Sequence, residues 1–208
     1  MLIVPYEPVR RECVVVNSRF IASLAPADGV EEARAHIARV RAEFPDATHN
    51  VPAFVIGGGN SSTEFCSDDG EPSGTSGRPL LAVLKGSGMG NLVVVVTRYF
   101  GGTLLGTGGL VKAYTEAGRL VVEAARRAAM VETHRLELDL PYHFFDRLRI
   151  VAAECGAEIV AEDFAESVRL AVEVAGGDAE RFQARLGEIS SGSLRGRFVS
   201  KRMARRPL

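Results

Sequence analysis

Cysteine is scarce in this chain. Cys13, Cys66 and Cys155 are scattered through 208 residues, and no two form a C-x-x-C pair. That excludes a disulfide framework and a structural zinc site of the usual spacing, and it suits a reducing cytosol. No apolar run approaches the ~20 residues that a membrane-crossing helix needs. Met1 to Arg10 lacks the apolar segment of a signal peptide. The expectation is a cytoplasmic protein with no membrane partner. A strong net charge is also missing, at −1 overall, so bulk basicity does not advertise nucleic acid. Acidic residues are lacking locally, however. None follows Glu188, whereas Arg195, Arg197, Lys201, Arg202, Arg205 and Arg206 do, which reads as a basic tail. There is no H-E-x-x-H helix and no G-x-S-x-G elbow, so zinc-peptidase and α/β-hydrolase readings fall away.

What remains is an ordinary globular composition, 46% hydrophobic and 25% charged. The pattern is α+β in two domains, residues 1–130 and 131–208. In the first, Glu12 to Val16, Ser18 to Leu24 and Val51 to Ile56 read as strands. Asp28 can cap a helix that Pro45 stops. Glu64 to Cys66 extends or pairs with a strand. Pro79 suits the first turn of a short helix through Lys85. Leu92 to Val96 is an apolar run fit for a strand buried on both faces. A long helix is expected from Gly108 to Met130. In the second, strands at 135–140, 158–163, 168–174 and 194–200 alternate with helices at 144–155 and 178–187. Asp178 is the expected cap of the latter. That βαββαβ order is the ferredoxin-like arrangement.

Two loops carry the unusual residues. Ser67 to Pro79 places three carboxylates, Asp68, Asp69 and Glu71, ahead of a turn rich in glycine and hydroxyls that includes Ser73, Thr75 and Ser76. The acids can hold a hard cation such as magnesium, cap backbone donors, or pair with Arg78 or Arg98. The hydroxyls can meet an anion or bond local backbone. Gly101 to Gly109 joins the buried strand to the long helix. Gly101, Gly102, Gly106, Gly108 and Gly109 allow close approach of a ligand, and the helix entry supplies oriented N–H groups for phosphate. Arg98 and Lys112 can add positive charge, although the glycines can equally serve tight packing. No Gly-Lys-Ser/Thr follows, so this is not a Walker A loop. His49, Asp69 and Glu71 are the candidate acid–base groups. Cys66 beside carboxylates is a poor nucleophile. Tyr99 and Phe100 can stack on bases if exposed and otherwise end a core strand. The spatial expectation is that the two loops meet beside the ends of core strands and form a polar pocket.

Ser18 to Ala22, Asp46 to Asn50, Ser67 to Pro79, Thr97 to Gly102 and Gly106 to Tyr114 together resemble the IMPACT family, including its two-domain, YigZ-type bacterial members. The resemblance covers residues 18–125 and extends to the small appended domain. It implies a first domain like the second domain of a small-subunit ribosomal protein and domain IV of elongation factor G, and a second like that factor's last domain. It also implies kinship with eukaryotic translation regulators that compete for a partner of an initiation-factor kinase. Ser76 stands where Ala is common and Lys112 where Arg is common, and a lysine lacks the bidentate fork. The expected function is a translation-associated protein binding structured RNA or a ribosomal surface, with no chemistry assigned. The alternatives are a magnesium-dependent enzyme acting on a phosphorylated small molecule or nucleotide, and a protein-interaction module using the second sheet.

Overall fold

The computed structural model describes residues 1–59 and 61–208. The chain divides into two compact units, Met1–Ala129 with Arg205–Leu208, and Met130–Ala204.

The first unit is built on a five-stranded antiparallel sheet. Its strands are β2 (Val9–Val15), β3 (Ser18–Pro26), β4 (His49–Gly58), β5 (Ser61–Cys66) and β6 (Leu92–Tyr99), in the order β2-β3-β6-β4-β5. A short strand not expected from the sequence, β1 (Leu2–Pro5), precedes them. Helix α1 (Val30–Glu43) covers one face. Helices α2 (Gly77–Gly86) and α3 (Gly106–Glu123) cover the other. Strand β6 lies in the middle, which explains its apolar run. Val93 and Val95 face α1, while Leu92, Val94 and Val96 pack with Leu80, Leu84 and Tyr114, and all five are fully buried.

The second unit contains β7 (Arg127–Leu140, shared at its start with the first unit), α4 (Phe145–Glu154), β8 (Glu158–Phe164), β9 (Val168–Ala175), α5 (Ala179–Ser190) and β10 (Arg197–Pro207). β9 pairs antiparallel with both β7 and β8, and β10 pairs with β7. The strand order β10-β7-β9-β8, with two helices over a core of Leu138, Leu148, Val172 and Phe182, is the ferredoxin-like topology.

Four local expectations are corrected. Helix α3 ends at Glu123, not Met130. The alanine-rich stretch after it favours helix, but the carbonyls of Arg126 and Arg127 accept sheet-like bonds from Tyr6 and Leu208 N–H, and tertiary pairing overrides propensity. Asp28 does not cap α1, whose N-cap is Gly29. Its carboxylate instead accepts from Asn91 Nδ2 (3.3 Å) and Arg205 (2.6 Å). Asp178 makes no side-chain cap on α5. The basic tail is a strand whose cations are largely neutralised. Arg197 pairs with Glu137, Lys201 with Glu132 (3.1 Å), Arg202 with Glu173 (2.8 Å) and Arg205 with Asp28.

The β2–β3 turn carries strain. Val16 and Asn17 both have positive φ, 47° and 67°, as a two-residue hairpin turn demands. A β-branched residue in the left-handed region is unfavourable, and Val16 is exposed, so burial offsets none of it. Val16→Asn should therefore raise stability by about 1 kcal/mol, since Asn tolerates this conformation. Urea unfolding of the full chain should show a higher midpoint at unchanged slope.

Candidate functional site

The acid loop is organised by helix α2. Ser76, at the N-cap of α2, makes no side-chain cap of its own. Asp68 does this work from eight residues upstream. Its Oδ1 accepts from Ser76 N–H (3.1 Å), Ser76 Oγ (2.8 Å) and Gly77 N–H (2.8 Å), and its Oδ2 accepts from Gly74 N–H (2.8 Å). A carboxylate satisfying the Ser76 and Gly77 N–H groups at the helix entry is favoured by the macrodipole as well. Burial opposes ionisation of Asp68, but the N–H groups of Gly74, Gly77 and Ser76 with the Ser76 hydroxyl outweigh it and hold the carboxyl below its usual range.

The other two carboxylates point elsewhere. Asp69 accepts from Arg41 and from Asn50 N–H (2.7 Å), so its partner is Arg41 rather than Arg78. Glu71 is buried, and its Oε1 accepts from Arg98 Nη1 (2.7 Å) and Tyr114 Oη (2.8 Å). Among the described residues, no group of three His, Cys, Asp or Glu is placed to hold a metal ion. Thr75 Oγ1 bonds the Pro72 carbonyl (2.6 Å), while Ser73 is exposed. Burial, then the charge of Asp68, pushes the Cys66 thiol up, against some opposition from Arg78.

Of the two expectations for Arg98, pairing with the acid loop is the one the structure shows, and the residue is not an exposed cation. It is 5% exposed, with its guanidinium between the rings of Phe20 and Phe100, each 5.6 Å away. Its Nη2 reaches Ser18 Oγ at 3.3 Å. The register sets Phe20, Arg98 and His49 side by side across β3, β6 and β4. His49 Nδ1 lies 2.8 Å from the Asp69 carbonyl, and its Nε2 lies 3.8 Å from Glu71 Oε2. Burial first, and then Glu71, drive the Tyr114 phenol far above its usual range, so Tyr114 stays a donor. Ser18, Arg41 and Tyr114 were not singled out as site residues. Tyr114 sits at an apolar helical position, where periodicity reads a tyrosine as core and does not show where its hydroxyl ends.

The glycine loop has two jobs. Gly101 is a packing residue, because a Cβ there would lie 2.1 Å from the Asn17 backbone. At the α3 entry the chain is open. Gly106 has φ +69°, a Cβ on Gly108 would meet nothing within 4 Å, and the N-cap Leu105 makes no side-chain cap. The first turn of α3 has no acidic residue, leaving its N–H groups available to an anion.

Both loops line one cavity of about 380 Å³. His49, Glu71 and Pro72 form one side and Gly106, Thr107 and Leu110 another, with Arg98 and half-exposed Phe100 between them. Asp68, Asp69, Ser73 and Thr75 do not reach it. Lys112 lines a neighbouring hollow with Val15, Val111 and Arg119. A wider hollow of about 730 Å³ lies over the open sheet face of the second unit. Its four arginines (135, 169, 195 and 197) face Glu137, Asp139, Glu162 and Asp163, so it offers no net attraction to an anion. The smaller cavity is the better candidate, since its polar groups converge at a helix entry.

Replacing Asp68 tests the loop architecture. Asp68→Asn should destabilise the full chain by about 2 kcal/mol near neutral pH, because the backbone donors lose a charged acceptor and the amide offers only one oxygen where two now accept. The folded-state pKa of Asp68 is depressed, so its contribution is complete above the unfolded value of about 3.9 and disappears as pH falls through the folded one. The gap between wild type and variant in urea unfolding should accordingly shrink below about pH 4.

Residues 16–122 match the Impact N-terminal domain, and residues 138–193 match a domain of unknown function, DUF1949. The chain is 40% identical to the IMPACT family member YigZ of Escherichia coli (strain K12) over 193 residues, 92% of this chain and 95% of that protein. It is 38% identical to an IMPACT family member of Haemophilus influenzae, covering 92% of this chain and 94% of the relative. A solved structure described as a hypothetical protein superposes with a TM-score of 0.61 at 39% identity, covering 96% and 97% of the two chains. With its acid loop, its glycine-rich α3 entry and its ferredoxin-like second unit, this chain belongs to the IMPACT family.

Proposed function

We propose that the protein is a translation-associated regulator that binds structured RNA or a ribosomal surface, with α3 receiving a phosphate. The observation that carries this reading is the α3 entry: glycines open to solvent, no side-chain cap, no acid in the first turn, and exposed Lys112 in the second turn. Donors and dipole there favour an anion without requiring a particular base. The translation setting comes from the family, whose eukaryotic members are translation regulators. No catalytic step is part of the reading. The three cysteines are free, as suits the cytoplasm.

Such binding depends on phosphate contacts, so it weakens as salt rises. Filter binding of the full chain to ribosomal RNA and to ribosomes should show retention at micromolar protein in low salt, lost as salt increases. Gly108→Asp places a carboxylate where the phosphate would sit, in open space. That substitution should weaken retention by about tenfold, equivalent to ~1.4 kcal/mol. The same acid favours the helix dipole, so the unfolding midpoint should not fall. Absence of wild-type retention, or equal retention by the variant, defeats the reading.

A further inference from the structure

The floor of the cavity sets His49 Nε2 against Glu71 Oε2, and with the imidazole neutral the two present acceptors to each other. The Asp69 carbonyl can only accept, so the His49 Nδ1 that lies 2.8 Å away carries a hydrogen. In the neutral ring that leaves Nε2 as an acceptor. It faces Glu71 Oε2, a second acceptor, at 3.8 Å. Glu71 is 7% exposed, and both of its hydrogen bonds, from Arg98 and Tyr114, go to Oε1. Arg98 Nε is buried in the same wall and also has no hydrogen-bond partner. Two acceptors across a gap this size call for a donor between them.

The upper part of the cavity is apolar. The Phe100 ring is 44% exposed and Leu104 is 87% exposed, both at the rim with exposed Pro72, and Leu110 is buried beneath. A flat apolar body would stack on Phe100, present N–H groups to His49 and Glu71, and leave an anionic substituent near the α3 entry at Gly106 and Thr107.

We propose that this cavity holds one unstacked nucleobase bearing an exocyclic amino group, the amino N–H groups being shared between His49 Nε2 and Glu71 Oε2. The placement of its phosphate rests on the reading of α3 as a phosphate contact, whereas the base contacts do not. A keto group at the same position sets a third acceptor against the two already there. The site therefore selects cytosine over uracil, rings of one size that differ in amino against keto at that edge.

The test is titration of the ¹⁵N-labelled full chain with CMP, UMP, cytidine and inorganic phosphate, followed by NMR. CMP should bind roughly tenfold or more tightly than UMP, because a site built around unpaired acceptors rejects a ligand lacking the donor. Cytidine alone should shift His49 and Glu71, and phosphate alone should shift only the α3 entry. Phe100→Ala should weaken CMP by about tenfold through lost stacking, with the thermal midpoint reporting whether the fold persists. Equal affinities for CMP and UMP, or no response to cytidine, overturn the base pocket even if ribosomal RNA is still retained. Selective cytidine binding without RNA retention upholds the pocket and removes the RNA reading instead.

Discussion

Glu71 ties the acid loop to two partners far along the chain, Arg98 at 27 residues' distance and Tyr114 at 43. One carboxylate oxygen thereby joins the loop, the end of β6 and the third turn of α3. Burying the guanidinium and the carboxylate costs desolvation, which their attraction repays only with good geometry and further bonds. Those bonds are present: Tyr114 donates to the same oxygen, Ser18 accepts from Arg98, and two aromatic rings flank the guanidinium. The arrangement commits the loop to one position and leaves the second carboxylate oxygen facing His49.

A division of labour follows within the thirteen residues from Ser67 to Pro79. Asp68 is turned inward to begin α2, Asp69 holds Arg41 and the start of β4, and Glu71 anchors to β6. Carboxylates adjacent in sequence thus serve three separate elements. A dense acidic motif can look like a metal site and be a set of structural tethers. The glycine loop divides similarly: Gly101 lets β6 leave closely past Asn17, and Gly106 and Gly108 keep the helix entry bare.

Much of the fold is legible in the sequence because its signals are local. The valine run of β6, Pro79 near the start of α2 and the alternation of Arg135 to Leu140 in β7 each reflect an environment felt within a few residues. The family motifs make the first unit recognisable for the same reason. What was not legible depends on distant partners. The end of α3 is set by sheet bonds from Tyr6 and Leu208 to residues that prefer helix by themselves. The tail reads as a basic patch until Glu132, Glu137, Glu173 and Asp28 are seen opposite it. That an acid of the loop pairs with Arg98 is among the readings the residues allow, but nothing local reveals which acid does so or that the loop closes over the guanidinium. His49 is legible as a candidate acid–base group, but the Glu71 carboxylate facing it appears only once β4 and the loop are placed together.

The central position of β6 has a consequence for how the protein is made. β3 and β4 each bond to β6 and not to each other. While the ribosome has released only the residues before Leu92, both apolar strands have a bare edge where their shared neighbour will insert. Such edges recruit other chains. The nascent protein is therefore most vulnerable to aggregation in that interval, when a chaperone's shelter matters most, and the hazard ends when a single eight-residue segment, Leu92–Tyr99, slots in.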